Sequence, residues 1–168
     1  CELLKIEVGQ YNKPTIYVCN YPSNIFEYGA IITSFQHTAL ILADHAHVYA
    51  KWFLGNRLIS SGSGSFAKTL DQVKHRLENG WSVICYPERG YFLRQDKNKI
   101  VELRTGIFSI AKQLGAHIAP VAISHIEHNC GFVTKQMHLK CGPRQRVSNV
   151  SKTILHVRKW LQDTLATF

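Results

Sequence analysis

The feature that most constrains this chain is an alternation. Short runs rich in Val, Ile and Tyr take turns with stretches whose apolar residues recur at helical spacing. Strand-like runs fall at residues 15–19, 47–50, 81–86, 117–124 and 137–141, where β-branched and aromatic residues cluster. Helical runs are expected at 25–42, 66–79, 107–114 and 151–167. In the second, Phe66, Leu70, Val73 and Leu77 form one stripe with Gly80 behind it; in the third, Ile107, Ile110, Ala111 and Leu114 face inward and Gly115 is the stop. The last turns Ile154, Val157, Leu161 and Leu165 inward. The Ser/Gly stretch 60–65 reads as a loop ending in a helix N-cap. Strands alternating with helices of this length predict an α/β domain with a central, mainly parallel sheet flanked by helices. Sites in such sheets lie beyond the carboxyl ends of the strands. Two segments are expected there: 20–27 after the first strand-like run, and 87–94 after the third.

A chain of 168 residues without repeat, linker or low-complexity tract suits one domain spanning 1–168. Hydrophobic residues at 45% and charged residues at 18% exclude disorder and a pure coiled coil. The longest apolar stretch, 25–43, is broken by Glu27, Gln36 and His37 and makes a poor membrane span. The net charge of +9 is lopsided: residues 85–168 carry 13 basic and 5 acidic groups, whereas 1–84 carry 7 and 6. A basic half points to an anionic partner, whether phosphate ligand, lipid headgroups or nucleic acid. Five cysteines, an odd number without CxxC, include Cys19, Cys85 and Cys141 in apolar runs. They read as buried thiols in a reducing, intracellular compartment. The chain starts at Cys1 rather than Met, which leaves room for an upstream segment such as a membrane anchor.

Three blocks, in order, resemble the glycerolipid acyltransferase superfamily of lysophosphatidate and diacylglycerol acyltransferases. Arg104-Thr105-Gly106-Ile107-Phe108, followed by Gly115-Ala116-His117-Ile118-Ala119-Pro120-Val121, is similar to the family's basic-Gly helix start and its "gly-ala-x-ile-x-pro-val" strand. Ser82-Val83-Ile84-Cys85-Tyr86-Pro87-Glu88-Arg89-Gly90 resembles the "phe-pro-glu-gly" block. Asn20-Tyr21-Pro22-Ser23-Asn24-Ile25-Phe26-Glu27 falls where the family has "asn-his-x-x-x-x-x-asp" or "his-pro-his-gly". The resemblance covers roughly residues 14–145. It implies a histidine acting as general base on a glycerol hydroxyl, which attacks an acyl thioester, with an aspartate orienting the imidazole. The Pro-Glu segment and nearby basic residues would bind the acceptor. Glu88, Arg89, Arg94, Arg104 and Gly106 are the substrate-binding positions so implied. No tightly bound cofactor and no metal is implied; acyl-CoA or an acyl-carrier thioester would be the donor.

The sequence departs from that pattern at the decisive positions. Tyr21 stands in the place of the histidine and Phe26 in that of the aspartate. A tyrosine with a pKa of about 10 is a poor base at neutral pH, and Phe26 neither orients nor accepts a proton. Glu27 is one residue further on, about 100° around a helix, and Ser23 is not a base. In the second block Arg89 replaces Gly, and Tyr91 replaces an expected arginine. The fold is expected to be kept and the catalytic pair lost, leaving a structural, scaffolding or lipid-binding subunit. The alternative is an active, divergent acyltransferase whose base comes from His37, His45 or His125.

Other signals are weaker. His45-x-His47, and the group His125, Glu127, His128 and Cys130 expected just after a strand, lack a fixed zinc spacing. Lys140, Arg144, Arg146, Lys152, Arg158 and Lys159 form either a solvated face or a contact surface for anionic lipid at a membrane; no pattern supports specific nucleic-acid binding. Lys51 with Trp52-Phe53-Leu54 is either core or membrane contact. Asn149-Val150-Ser151 fits a glycosylation acceptor, but a reducing compartment favours Ser151 as the cap of the last helix. Membership of a larger protein assembly is the further partner expected of a scaffolding subunit.

Overall fold

The computed structural model describes residues 4–7, 11–20, 31, 34–35, 37–42, 54–60, 65–88, 99–128 and 134–168. Its strands are β1 (Leu4–Glu7), β2 (Ile16–Cys19), β3 (Thr38–Leu42), β4 (Leu58–Ser60), β5 (Ser82–Cys85), β6 (His117–His128), β7 (Thr134–Cys141) and β8 (Gln145–Arg146). The helices are α1 (Phe66–Glu78), α2 (Gly106–Leu114) and α3 (Val150–Leu165), with a 3-10 turn at Gly55–Arg57. Among the described residues the strands form one sheet in the order β1-β7-β6-β2-β5-β3-β4, with β8 pairing on β6. The pairs β1–β7, β2–β5, β2–β6, β3–β4 and β3–β5 are parallel; β6–β7 and β6–β8 are antiparallel. The mainly parallel sheet flanked by helices is therefore present.

Both faces of the central strands are covered. All four residues of β2 are buried, as are all four of β5. Ile16, Val18, Val83, Cys85, Ile118 and Ala122 pack into a core with Val73 of α1, Phe108 and Ala111 of α2, and Val157 and Leu161 of α3. On the other face Tyr17, Cys19, Leu40, Ile84, Ala119 and Val121 pack with Ile31 and Phe35. Such two-sided burial is why these strands read as continuous apolar runs rather than alternating ones.

The expected elements need four corrections. Residues 38–42 were expected to end a helix running from 25, but they form β3, with Thr38, Ala39 and Leu40 buried between β5 and β4. A fully buried strand and a buried helix share the same unbroken apolar signature, and here the β-branched Thr38 and Ile41 mark the difference. His125, Glu127 and His128 lie within β6, paired with Met137, Lys135 and Thr134, rather than after a strand. Phe66 is 46% exposed, outside the core stripe that Val73 anchors. Asn149, not Ser151, caps α3: its side-chain oxygen accepts the Lys152 N–H at 2.9 Å. Ser65 caps α1 as expected, accepting from the Lys68 N–H. β1, β4 and β8 have no counterpart among the expected strands. The expected strand at 47–50, His45, His47 and the Lys51–Leu54 stretch up to residue 53 lie outside the described residues.

Two glycines are positional. Gly115 ends α2 with φ 62°, where its N–H and that of Ala116 return to the helix's last carbonyls. Gly142 needs space instead: an added Cβ would stand 2.5 Å from the Trp160 ring and 2.8 Å from Pro120. The ring belongs to α3 and packs, half-buried, against the core. Gly142→Ala is expected to destabilise the fold by about 1–3 kcal/mol, the usual cost of overpacking, read as a lowered urea midpoint. An unchanged midpoint would contradict this packing.

Candidate active site

Parallel pairing brings the carboxyl ends of β2, β5 and β6 to one sheet edge. Val18 is in register with Cys85, and Cys19 with Val121, so the chain leaves β2 at Asn20 beside the point where it leaves β5 at Tyr86. Asn20 is 3% exposed and behaves as one more rung of the ladder. Its side-chain NH2 donates to the Ile123 carbonyl at 2.9 Å, and its side-chain oxygen accepts the Ile123 N–H at 2.7 Å. Two hydrogen bonds between buried partners fix where the segment beginning at residue 21 starts. Asn20 lies inside the first motif block, but neither spacing nor periodicity revealed this role; the only signal was a carboxamide at the end of an apolar run.

The second wall is built around Glu88. It is 3% exposed and forms an isolated antiparallel bridge with Leu103. Its Oε1 accepts the Val101 N–H at 3.2 Å, and the Arg104 N–H donates to the Pro87 carbonyl at 2.8 Å. From the other side, α3 grips the same segment: the Gln162 side-chain oxygen accepts the Ile100 N–H at 2.8 Å, and Arg158 donates to the Ile100 carbonyl at 3.4 Å. The structure thus gathers three of the expected substrate-binding positions, Glu88, Arg104 and Gly106. Arg104 is exposed, and Gly106 opens α2 behind Thr105, whose side chain makes no cap hydrogen bond. That leaves the first-turn N–H groups of α2 at the same edge as an exposed guanidinium, an arrangement favourable to anions. Tyr21, Ser23, Phe26, Glu27, Arg89 and Arg94 lie outside the described residues.

Among the other expected groups, position sorts the candidate bases. His37 precedes β3 with φ 49°, its carbonyl accepting the Ser82 N–H and its ring edge-on to Trp81 at 5.8 Å. It therefore stands at the amino end of β5, four residues or roughly 13 Å along the strand from Tyr86. His125 is on β6, two residues beyond Ile123, and so at the carboxyl edge. Three free thiols are described, and none is poised as a nucleophile. Burial raises Cys19 and Cys85 well above the ordinary thiol range and pushes Cys141 up to about 11, so each is protonated at neutral pH. Among the described residues no three His, Cys, Asp or Glu side chains stand together as a metal site. No helix among them is long and apolar enough to cross a membrane.

Asn20→Ala should leave both the N–H and the carbonyl of Ile123 buried without partners. A loss of about 1–3 kcal/mol per group is expected, measured by urea unfolding; a loss below about 0.5 kcal/mol would contradict the assigned role, since that is the range of neutral surface changes.

Comparison with known proteins agrees with this architecture. No curated protein matches the sequence. Among solved structures, the 1-acyl-sn-glycerophosphate (LPA) acyltransferase PlsC from Thermotoga maritima has a similar fold, with a TM-score of 0.69 over 98% of this chain and 71% of that one, at 16% identity. The sequence model of the family described as Acyltransferase matches residues 5–124, from β1 through the Asn20, Glu88 and Arg104 blocks into β6; the chain belongs to the acyltransferase family.

Proposed function

We propose that this chain is a catalytically degenerate acyltransferase domain that holds a glycerolipid without acylating it. On this reading it is a lipid-binding or scaffolding subunit, peripheral to a membrane inside the cell. The observation that carries the reading is the anchoring of Asn20 directly before residue 21 of the sequence. Asn20 is anchored on β6 at the edge where the Glu88 and Arg104 segments meet, and the residue that follows is Tyr21 where the family has its histidine. Phe26 stands five residues on, in the aspartate's place. Attack by a glycerol hydroxyl on a thioester requires a group that takes the hydroxyl proton as the C–O bond forms. A phenol with a pKa of about 10 holds its own proton at neutral pH. The groups suited to binding persist: an exposed Arg104, uncapped N–H groups at the start of α2, and a basic second half for anionic lipid. The fold shared with an LPA acyltransferase supports a glycerophosphate-type ligand.

A second reading, an active acyltransferase of divergent mechanism using an acyl-CoA or acyl-carrier thioester, is favoured by one observation: β6 carries His125 to the same sheet edge.

The two readings separate in one assay of thioester-dependent acylation of lysophosphatidate. The wild-type protein is expected to give no product above background, because general-base catalysis typically contributes about 10²- to 10⁴-fold. Tyr21→His supplies a base but leaves it unoriented, and Phe26→Asp alone supplies no base, so each gains little and the double variant gains most. Wild-type turnover abolished by His125→Ala would establish the second reading instead.

A further inference from the structure

We propose that a cleft at the opposite, amino edge of the sheet binds a small phosphorylated anion, at a site separate from the carboxyl-edge one and independent of whether that edge is catalytic. The cleft has a volume of about 460 Å³ and is lined by Pro14, Lys74, Leu77, Glu78, Leu114 and His117 among others. It forms where α1 and α2 both end and where β2 and β6 both begin. A volume in this range accommodates a small-molecule ligand, and Leu77, Leu114 and Pro14 offer it an apolar floor.

One cation, Lys74, and one carboxylate, Glu78, line the cleft, and three further cations stand next to its lining residues. Lys13 directly precedes Pro14. Arg144 reaches Pro14 itself, donating to its carbonyl at 3.3 Å and to the Thr15 hydroxyl at 3.0 Å. Arg146, paired with His117 across β8 and β6, lays its guanidinium over Gly115, 3.0 Å from where a Cβ would be. The opposing carboxylate is Glu78, whose contact with Lys74 is a long 3.8 Å between exposed side chains. The ends of α1 and α2 contribute a further partial negative charge, about −0.5 each for a free terminus. Much of that is already answered, since the last carbonyls accept from Asn79, Gly80 and Trp81 in α1 and from Gly115 and Ala116 in α2. A positive excess therefore remains. His117 registers it: burial first, and then Arg144, Arg146 and Lys13, hold its imidazole below the usual histidine range. An apolar lining with more cations than carboxylates about it suits a phosphate ester whose charge meets Lys13, Lys74 and Arg146 and whose body rests on Leu77 and Leu114.

The test follows the His117 ring signals by NMR during titration with pyrophosphate at fixed ionic strength. A saturable shift is expected, with the His117 pKa rising as the bound anion offsets the neighbouring cations. Lys13→Gln/Arg146→Gln should bind roughly tenfold more weakly, the equivalent of about 1.4 kcal/mol. Lys13→Gln/Lys74→Gln should weaken binding likewise, and keeps the test intact if the Arg146 change disturbs α2. The charge-matched Lys68→Gln/Lys99→Gln variant, at exposed lysines outside the cleft, should bind as wild type. Cosedimentation with phosphatidylcholine vesicles, with and without phosphatidate, distinguishes the source. Phosphatidate-dependent binding that needs Lys13 and Arg146 assigns a lipid headgroup, and pyrophosphate binding without it assigns a soluble ligand. Non-saturating shifts of equal size in all variants, with no phosphatidate-dependent sedimentation, overturn the proposal.

Discussion

Everything in this molecule depends on the parallel pairing of β6, β2, β5 and β3, whose central residues are buried on both faces. Parallel strands require the chain to return across the sheet between them. α1 and α2 make that return between β4 and β5 and before β6, packing on one face with α3. The consequence is polarity. The carboxyl ends of β2, β3, β5 and β6 reach one edge, where Asn20, Glu88 and Arg104 meet, and the starts of those strands, with the ends of α1 and α2, reach the other. Two chemically different edges follow from one constraint.

Much of this was legible because buried parallel strands write themselves as Val/Ile-rich runs. The strands around Ile16, Val83 and Ile118, and the helices ending at Gly115 and after Val157, all fell near their expected places. β3 did not, because Thr38–Leu42 continues an apolar run from a segment with helical residues at Ile31 and Ser34. The sequence marks that switch only by the β-branched Thr38 and Ile41, and the backbone turn at His37, with its positive φ, becomes evident only in three dimensions.

The candidate site was legible as motifs rather than as geometry. The order of the Asn20, Glu88 and Arg104 blocks pointed to the family, and the sheet brings them to one edge. What Asn20 and Glu88 do there was not readable. A side chain that replaces a backbone rung, or a carboxylate that accepts the N–H of Val101, depends on contacts between residues 103 and 13 positions apart. Glu88 in particular spends one oxygen on the fold itself, so its retention in the sequence follows from positioning as readily as from substrate. The amino-edge cleft left no motif, because its cations come from three separate stretches of chain, around Lys13, Lys74 and Arg144–Arg146.

The central claim is that lipid binding outlasted catalysis on this fold. Incubating the wild-type protein with labelled lysophosphatidate and acyl-CoA, and measuring retained lipid and acylated product in the same sample, tests it most directly. The account predicts stoichiometric retention of lysophosphatidate with no product above the uncatalysed background. Product accumulating over many turnovers would contradict it, and so would the absence of retained lipid.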